Sequence, residues 1–377
     1  MERLWSRGLD GDVLRVGLKM RWRRRLVPSR RSRASGPTGT LRQLALAILV
    51  AGCLGCVPQP EDAVVVYSAA DREYASPIFG AFQRRHPGTE VVPVFDVEST
   101  KTVGLVARIE AERDRPRCDV FWNNEIMHTL RLERQGLLQP IGWDIPSDWP
   151  ADLRAADGSW VGFAMRARIL LVNREVLTDP GAYPRSVLEL ADPKWKGRCA
   201  VAEPLAGTTA THFAVLDHVL GPEKAAELFA AIRANAVVLS GNKQVALAVS
   251  SGQVAWGLTD TDDGLIERDA GLPVEIVFPD QDPEGLGALR IPNTVCVIRG
   301  CPHPRAAAAL ANFLVSEDIE GRLALGPSGQ IPARPGHPQR SRAQGEQEVR
   351  WMHVDFHPPA QRWPELAEQL RRLFRGS

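Results

Sequence analysis

Nowhere in its 377 positions does this chain hold about 18 uninterrupted apolar residues, the length a bilayer-spanning helix requires. A stable membrane-spanning helix is therefore excluded. The signatures of common enzyme classes are missing as well. No serine stands in G-x-S-x-G, and H-E-x-x-H, G-x-x-x-x-G-K-[ST] and a G-x-G-x-x-G opening a helix are absent. With no nucleophile or phosphate-cradling loop, catalysis is the weaker reading. Cysteine is sparse: beyond residue 60 only Cys118, Cys199, Cys296 and Cys301 occur, at spacings that match no metal pattern. Cys118, Cys199 and Cys296 lie in strand-like apolar runs, where cysteine behaves as a small buried hydrophobe, and no disulfide pairing follows from the spacing. Tyrosine is rarer still, at Tyr67, Tyr74 and Tyr183. What is plentiful is ordinary: 44% hydrophobic and 24% charged residues, with 32 Gly and 29 Pro, describe globular material of two to three domains.

The net charge of +1 conceals a division. Residues 1–52 carry 12 Arg or Lys against Glu2, Asp10 and Asp12, a balance of +9 that leaves −8 for the remainder. A mildly acidic body makes nucleic acid an unsuitable partner. The basic stretch of Arg21, Arg23 to Arg25, Arg30, Arg31 and Arg33 precedes the apolar run Leu44-Ala-Leu-Ala-Ile-Leu-Val50, the layout of an export signal translated from Met1 or from Met20. It closes on Leu49-Val-Ala-Gly-Cys53, which resembles the bacterial lipobox and implies acylation of Cys53. Residues 53–62 then form a tether.

After residue 62, strand-like and helical periodicities alternate. The continuous apolar run Ala63-Val-Val-Val-Tyr67 reads as a buried parallel strand, and Tyr74, Ile78 and Phe82 recur as one helical face. Glu90 to Phe95 followed by Val103, Val106 and Ile109, and Cys118 to Trp122 followed by a helix around Ile126 to Arg134, repeat the pattern. Three such units predict an α/β layer architecture. A second series starts after Trp160 to Val172, an extended stretch long enough to cross between lobes. It comprises strands at Arg198 to Glu203, Val254 to Leu258 and Val274 to Phe278, and a helix on Phe213, Leu216 and Leu220 stopped by Gly221-Pro222. A third extended run, Asn293 to Ile298, precedes an Ala-rich helix over Pro304 to Val315, and an exposed loop over 333–347 leads to a terminal helix with Leu366, Leu370 and Leu373 on one face.

Ligands of open α/β sheets bind beyond the carboxyl ends of the strands, where loops enter helix N-termini. Six such loops are polar here: Ser68 to Asp71, Glu98 to Thr102, Asn123 to Glu125, Gly207 to Thr211, Ser240 to Lys243 and Thr259 to Asp263. Gly207-Thr-Thr-Ala-Thr211 offers hydroxyls and amides to an anion, whereas Thr259-Asp-Thr-Asp-Asp263 packs three carboxylates into five residues and invites a cation or an arginine. Arg166 and Arg168 share one face of an extended stretch and need carboxylates or a bound anion. The candidate ligand contacts are Ser68, Ala69, Asp71, Thr100, Asn124, Arg166, Arg168, Gly207, Thr208, Thr209, Asn242 and Thr261; the candidate cation ligands are Asp71, Glu125, Asp262 and Asp263. His212, beside the Thr-rich loop, is a further candidate, and His353 with His357 is a poor one, because Pro358 and Pro359 follow at once.

Several segments together carry a family resemblance: Val66-Tyr-Ser-Ala-Ala-Asp71, Asp119-Val-Phe-Trp122 with Glu125, Gly136-Leu-Leu138, Arg166-Ala-Arg168, Asp192-Pro-Lys-Trp-Lys-Gly197, Gly241-Asn-Lys-Gln-Val245 and Gly252-Gln-Val-Ala255. Over roughly residues 62–330 the chain resembles the type II periplasmic solute-binding proteins of bacterial ABC importers, most of all their ferric-ion-binding branch. The resemblance implies an α/β fold of two lobes, each a mixed, mostly parallel sheet flanked by helices, joined by crossing hinge strands. Lobe I would hold 63–165 and 277–330, lobe II 166–276, and a C-terminal loop and helix over 331–377 would pack on both. It implies a monomeric, non-enzymatic carrier in the periplasm or at the cell surface, held to the membrane only by the lipid on Cys53, with a permease and its ATPase as partners. No cofactor is obligatory. Relatives that hold bare ferric ion use two adjacent tyrosines where this chain reads Thr261-Asp262. The cargo is then either Fe³⁺ or another cation on carboxylates with a synergistic anion, or an anionic organic solute such as a phosphonate or phosphate ester. A periplasmic sensor on the same fold is the third reading.

Overall fold

The computed structural model describes residues 62–96 and 102–376. The leader, Cys53 and Thr100 lie outside them. The first strands are β1 (Asp62–Ser68), β2 (Thr89–Phe95) and β3 (Val120–Asn123), all parallel, with α1 (Arg72–Arg85) and α2 (Val103–Ala111) as crossovers. Val64, Val66 and Tyr67 are fully buried, as a parallel strand covered on both faces requires. The helical face of α1 turns Ile78, Phe79 and Phe82 onto them. Next come α3 (Met127–Arg134), β4 (Leu138–Gln139) and the 14-residue β5 (Trp160–Asn173).

The second series runs β6 (Cys199–Ala202), α4 (Gly207–Leu220), α5 (Pro222–Asn235), β7 (Val237–Leu239), α6 (Asn242–Ser250), β8 (Trp256–Asp260), α7 (Thr261–Asp269) and β9 (Val274–Val277). Strand β10 (Arg290–Ile298) returns, followed by α8 (Pro304–Leu314), α9 (Glu317–Leu325) and α10 (His357–Arg375). The strands follow the order β2-β1-β3-β10-β5-β8-β6-β7, with β4 on β10 and β9 on β5. Strands β6, β7 and β8 are parallel, while β5 and β10 run antiparallel to their neighbours.

Strand β5 belongs to both halves of this sheet. Its residues 160–167 pair with β10, and its residues 168–173 with β8 and β9. The changeover is bent: Ala164 has φ 40°, and the β5–β10 register shifts between Ile291 and Asn293, at Pro292. Polar side chains brace the bend, since an L-residue avoids this backbone region unless its surroundings hold it there. The Asn293 amide donates to the Ala164 carbonyl, and the buried Glu320 carboxylate accepts from the amides of Ala164 at 2.9 Å, Ala333 at 2.7 Å and Arg334 at 3.1 Å. The two long extended stretches of the sequence are thus the crossing strands.

Cys118, Cys199, Cys296 and Cys301 are all buried and unpaired. Among the described residues, no helix is long and apolar enough to cross a membrane.

Candidate functional site

Parallel strands of both sheet halves deliver their carboxyl ends, and the helix N-termini that follow, to polar loops. Strand β8 passes into α7 with no intervening loop, so Asp260 ends the strand while Asp262 and Asp263 occupy the first turn of the helix. Carboxylates there are favoured by the amides and dipole of the helix N-terminus. One oxygen from each of Asp260, Asp262 and Asp263 lies within 4.8 Å of the others, a spacing a single cation can bridge.

The three acids have different surroundings. Asp260 is enclosed. Arg168, fully buried on β5, donates from Nη1 to Asp260 Oδ1 at 2.6 Å and to Thr208 Oγ1 at 3.1 Å, and from Nη2 to Thr209 Oγ1 at 3.2 Å. Thr208 Oγ1 donates to Asp260 Oδ2 at 2.6 Å, and Asn242 Nδ2 donates to the same oxygen at 2.9 Å. This knot fastens β5, the end of β8 and the N-termini of α4 and α6. Arg168, Thr208 and Thr209 are buried in this knot, and the half-buried Asn242 closes it. Asp262 is looser. Its Oδ2 is 3.6 Å from Arg166 Nη1, and its buried Oδ1 has no hydrogen-bond partner, so an acceptor remains for a cation. Asp263 Oδ2 accepts from Thr259 Oγ1 at 3.1 Å.

From the other half of the sheet, Asp71 occupies the N-cap position of α1 with an extended backbone, yet its exposed carboxylate makes no capping bond. Tyr74 follows one turn later. Burial, then Asp262, Asp71, Glu73 and Asp263, push the Tyr74 phenol up to about 12, which sets this hydroxyl among the carboxylates. Burial raises Asp262 above the ordinary aspartate value; Arg166 opposes this, and Asp260 and Asp71 reinforce it. Burial disfavours the charge on Arg166, but Asp262, Asp260, Asp71 and Asp263 more than offset it and raise its pKa. Asp71, Tyr74, Arg166, Asp262 and Asp263 therefore form one electrostatic group.

Glu125 stands apart from that group. Its oxygens accept from the α3 amides of Met127 at 2.9 Å and His128 at 3.1 Å, and from Thr211 Oγ1 of α4 at 3.1 Å. Accepting from amides two and three residues on, it does what an N-cap side chain ordinarily does. Ser68 donates to the Ala70 carbonyl, the Ala69 amide donates to the Trp122 carbonyl, Asn124 Oδ1 accepts from Thr102, and Thr261 Oγ1 accepts from the Ala167 amide. Gly207, φ 61°, opens α4. His212 lies one turn deeper in α4, buried, with neither ring nitrogen partnered. One group member escapes a linear reading: Tyr74, for which the three-residue spacing from Asp71 was the available signal. Asp260 is among the three carboxylates expected to invite a cation or an arginine, and its partner is Arg168, 92 residues away.

Residues 124–357 match the family of bacterial extracellular solute-binding proteins, and the chain belongs to that family. It is a solute-binding family rather than an enzyme family. Iron uptake protein A1 of Synechocystis is 29% identical over 231 residues, 58% of this chain and 63% of that protein, so the match spans less than two thirds of the relative's length. Among solved structures, iron-bound HitA from Pseudomonas aeruginosa superposes with a TM-score of 0.72 at 22% identity, covering 82% of this chain and 99% of that one. Trichodesmium IdiA (FutA) in complex with iron and citrate does so with a TM-score of 0.70 at 20% identity, again covering 82% and 99%. These likenesses establish the fold as that of the type II periplasmic binding proteins.

Proposed function

We propose that this protein is the cargo-binding component of a bacterial ABC importer, and that it captures ferric iron with an accompanying anion between the two halves of the sheet. The observation that carries the reading is the convergence of Asp260, Asp262 and Asp263 within 4.8 Å at the start of α7, with Asp71 and Tyr74 opposite. All are hard oxygen donors, the type that suits Fe³⁺. Asp262 and Asp263 offer the better ligands, because Asp260 is already held by Arg168. Arg166 and the N-terminal amides of α4 and α6 can receive the anion. The names of the relatives, an iron uptake protein and two iron-bound structures, support the same cargo. Export, acylation of Cys53 and a monomeric carrier handing its cargo to a permease and ATPase complete the proposal.

A second reading, an organic anion as sole cargo, draws on one observation: Arg166 Nε is buried without a partner. Calorimetric titration with ferric nitrilotriacetate and with a phosphonate separates the two. Asp262→Asn should lower ferric affinity at least tenfold. If Arg166→Ala alone abolishes binding, and only for the phosphonate, the organic anion is the cargo. If neither substitution matters, the site lies elsewhere. Cys53→Ser should move the protein from the membrane to the soluble fraction; a wild-type protein already soluble and unmodified at its N-terminus would sink the tether.

A further inference from the structure

Helices α3 and α4 come from the two halves of the sheet and are linked where Thr211 Oγ1 of α4 donates to Oε2 of Glu125, two residues before α3, at 3.1 Å. Helix α10 packs on both of them. With 19 residues it is about 28 Å long, enough to reach from one helix to the other.

Its first turn is held by α3. Arg134 Nη2 donates to the Ala360 carbonyl at 3.1 Å, and His357 Nε2 lies 3.4 Å from Glu133. The rest is held by the other half. Arg362 Nε donates to the buried Asp217 of α4 at 2.5 Å, the Phe374 ring meets Phe213 edge-on at 6.0 Å, and Arg375 makes two 2.6 Å bonds to Glu203 beyond β6. Leu366, Leu370 and Phe374 are buried beneath this part.

Pro364 lies inside the helix. Proline has no N–H, so the carbonyl four residues earlier loses its helical donor and the helix is weakened at that turn. That carbonyl belongs to Ala360, the one Arg134 grips. The break in the helical ladder and the grip on α3 are thus the same feature.

We propose that α10 is a jointed strap: its first turn, His357 to Ala360, is fixed to α3 and the remainder, from Arg362 onward, to α4, with the changeover inside the turn that Pro364 weakens, so that it limits how far the two helices separate when the site opens. The inference rests on the reading of the protein as a carrier whose halves move about β5 and β10.

The test is a distance distribution between spin labels on the exposed positions Asp114 and Glu227 in cargo-free full-length protein, measured by double electron–electron resonance. Leu370→Ala with Phe374→Ala should release the distal half and lengthen and broaden the distribution. Arg362→Gln with Arg375→Gln keeps the apolar face of Leu366, Leu370 and Phe374 and should broaden the distribution to a smaller degree. Dissociation of ferric nitrilotriacetate should be at least threefold faster in either variant. An unchanged distribution in both, with amide exchange showing residues 366–375 released, overturns the strap. Distances that change in a protein that never binds ferric nitrilotriacetate leave the strap standing and discard iron as the cargo.

Discussion

His212 shows how a single buried residue makes stability depend on pH. Burial, helped by the nearby Arg168 charge, holds its pKa well below 6.5. In the unfolded chain the imidazole titrates near 6.5. Below that pH the unfolded state binds a proton that the folded state refuses, so the contribution is complete above 6.5 and is lost as the pH falls. The slope from this one group approaches about 1.4 kcal/mol per pH unit. Urea unfolding of the wild type and His212→Leu at pH 7, 6 and 5 should show this slope only in the wild type; parallel curves would refute it. Asp262 has the opposite displacement, raised by burial first, with Asp260 and Asp71 adding to it against Arg166. With the Asp262 pKa displaced upward, ferric affinity should begin to fall on acidification before an exposed aspartate would protonate. A pH series of ferric titrations in wild type and Asp262→Asn checks this: the pH dependence assigned to Asp262 must be missing from the variant.

At the scale of elements, the site depends on how tightly α7 and α4 are seated on the strands beneath them. Gly264 of α7 packs so closely on β5 that an added Cβ would stand 2.8 Å from Ile169 Cδ1 and 3.2 Å from Leu171 Cδ1. Gly264→Ala should destabilise the protein by about 1–3 kcal/mol through overpacking, read as a lower urea midpoint at constant slope. Arg168→Met should cost more, about 3–5 kcal/mol, because it strands Asp260 as a buried unpaired charge. Adding Asp260→Leu should recover part of that loss, a coupling visible in a double-mutant cycle. These contacts also divide what was legible in the sequence from what was not. The apolar run 160–172, the Gly221-Pro222 stop and the Tyr74, Ile78, Phe82 face are local patterns, and the elements they announce are present. That Arg166 and Arg168 would need carboxylates was equally readable. Which arginine would be spent on the interior was not, because it is decided by register: Arg168 pairs with Asp260 across β5 and β8, and Arg166 with Ile291 across β5 and β10. Thr208 and Asn242, expected as ligand contacts from their loops, both donate to Asp260.

On the scale of the molecule, these contacts bear on where the chain can bend. Among the described residues, the two halves of the sheet are joined through β5 and β10, and every other strand pairs within its own half. Within that junction the backbone leaves regular β geometry at Ala164 and between Ile291 and Asn293. A distortion already built into both strands is where a rotation costs least, because a few dihedrals absorb it without breaking the ladders on either side. Asp71 and Tyr74 lie on one side of this junction and Asp262 and Asp263 on the other. A cation that takes ligands from both sides can shift the halves together only through its higher affinity for the closed arrangement. Repulsion between the approaching carboxylates opposes closure until the cation is present. Small-angle scattering of the protein should therefore show a smaller radius of gyration with saturating ferric citrate than without. Asp71→Asn should weaken ferric binding while lowering the repulsion, leaving the cargo-free protein more compact than the wild type. A wild-type profile that does not change at saturation would mean that the site is preformed and the bend at Ala164 is static.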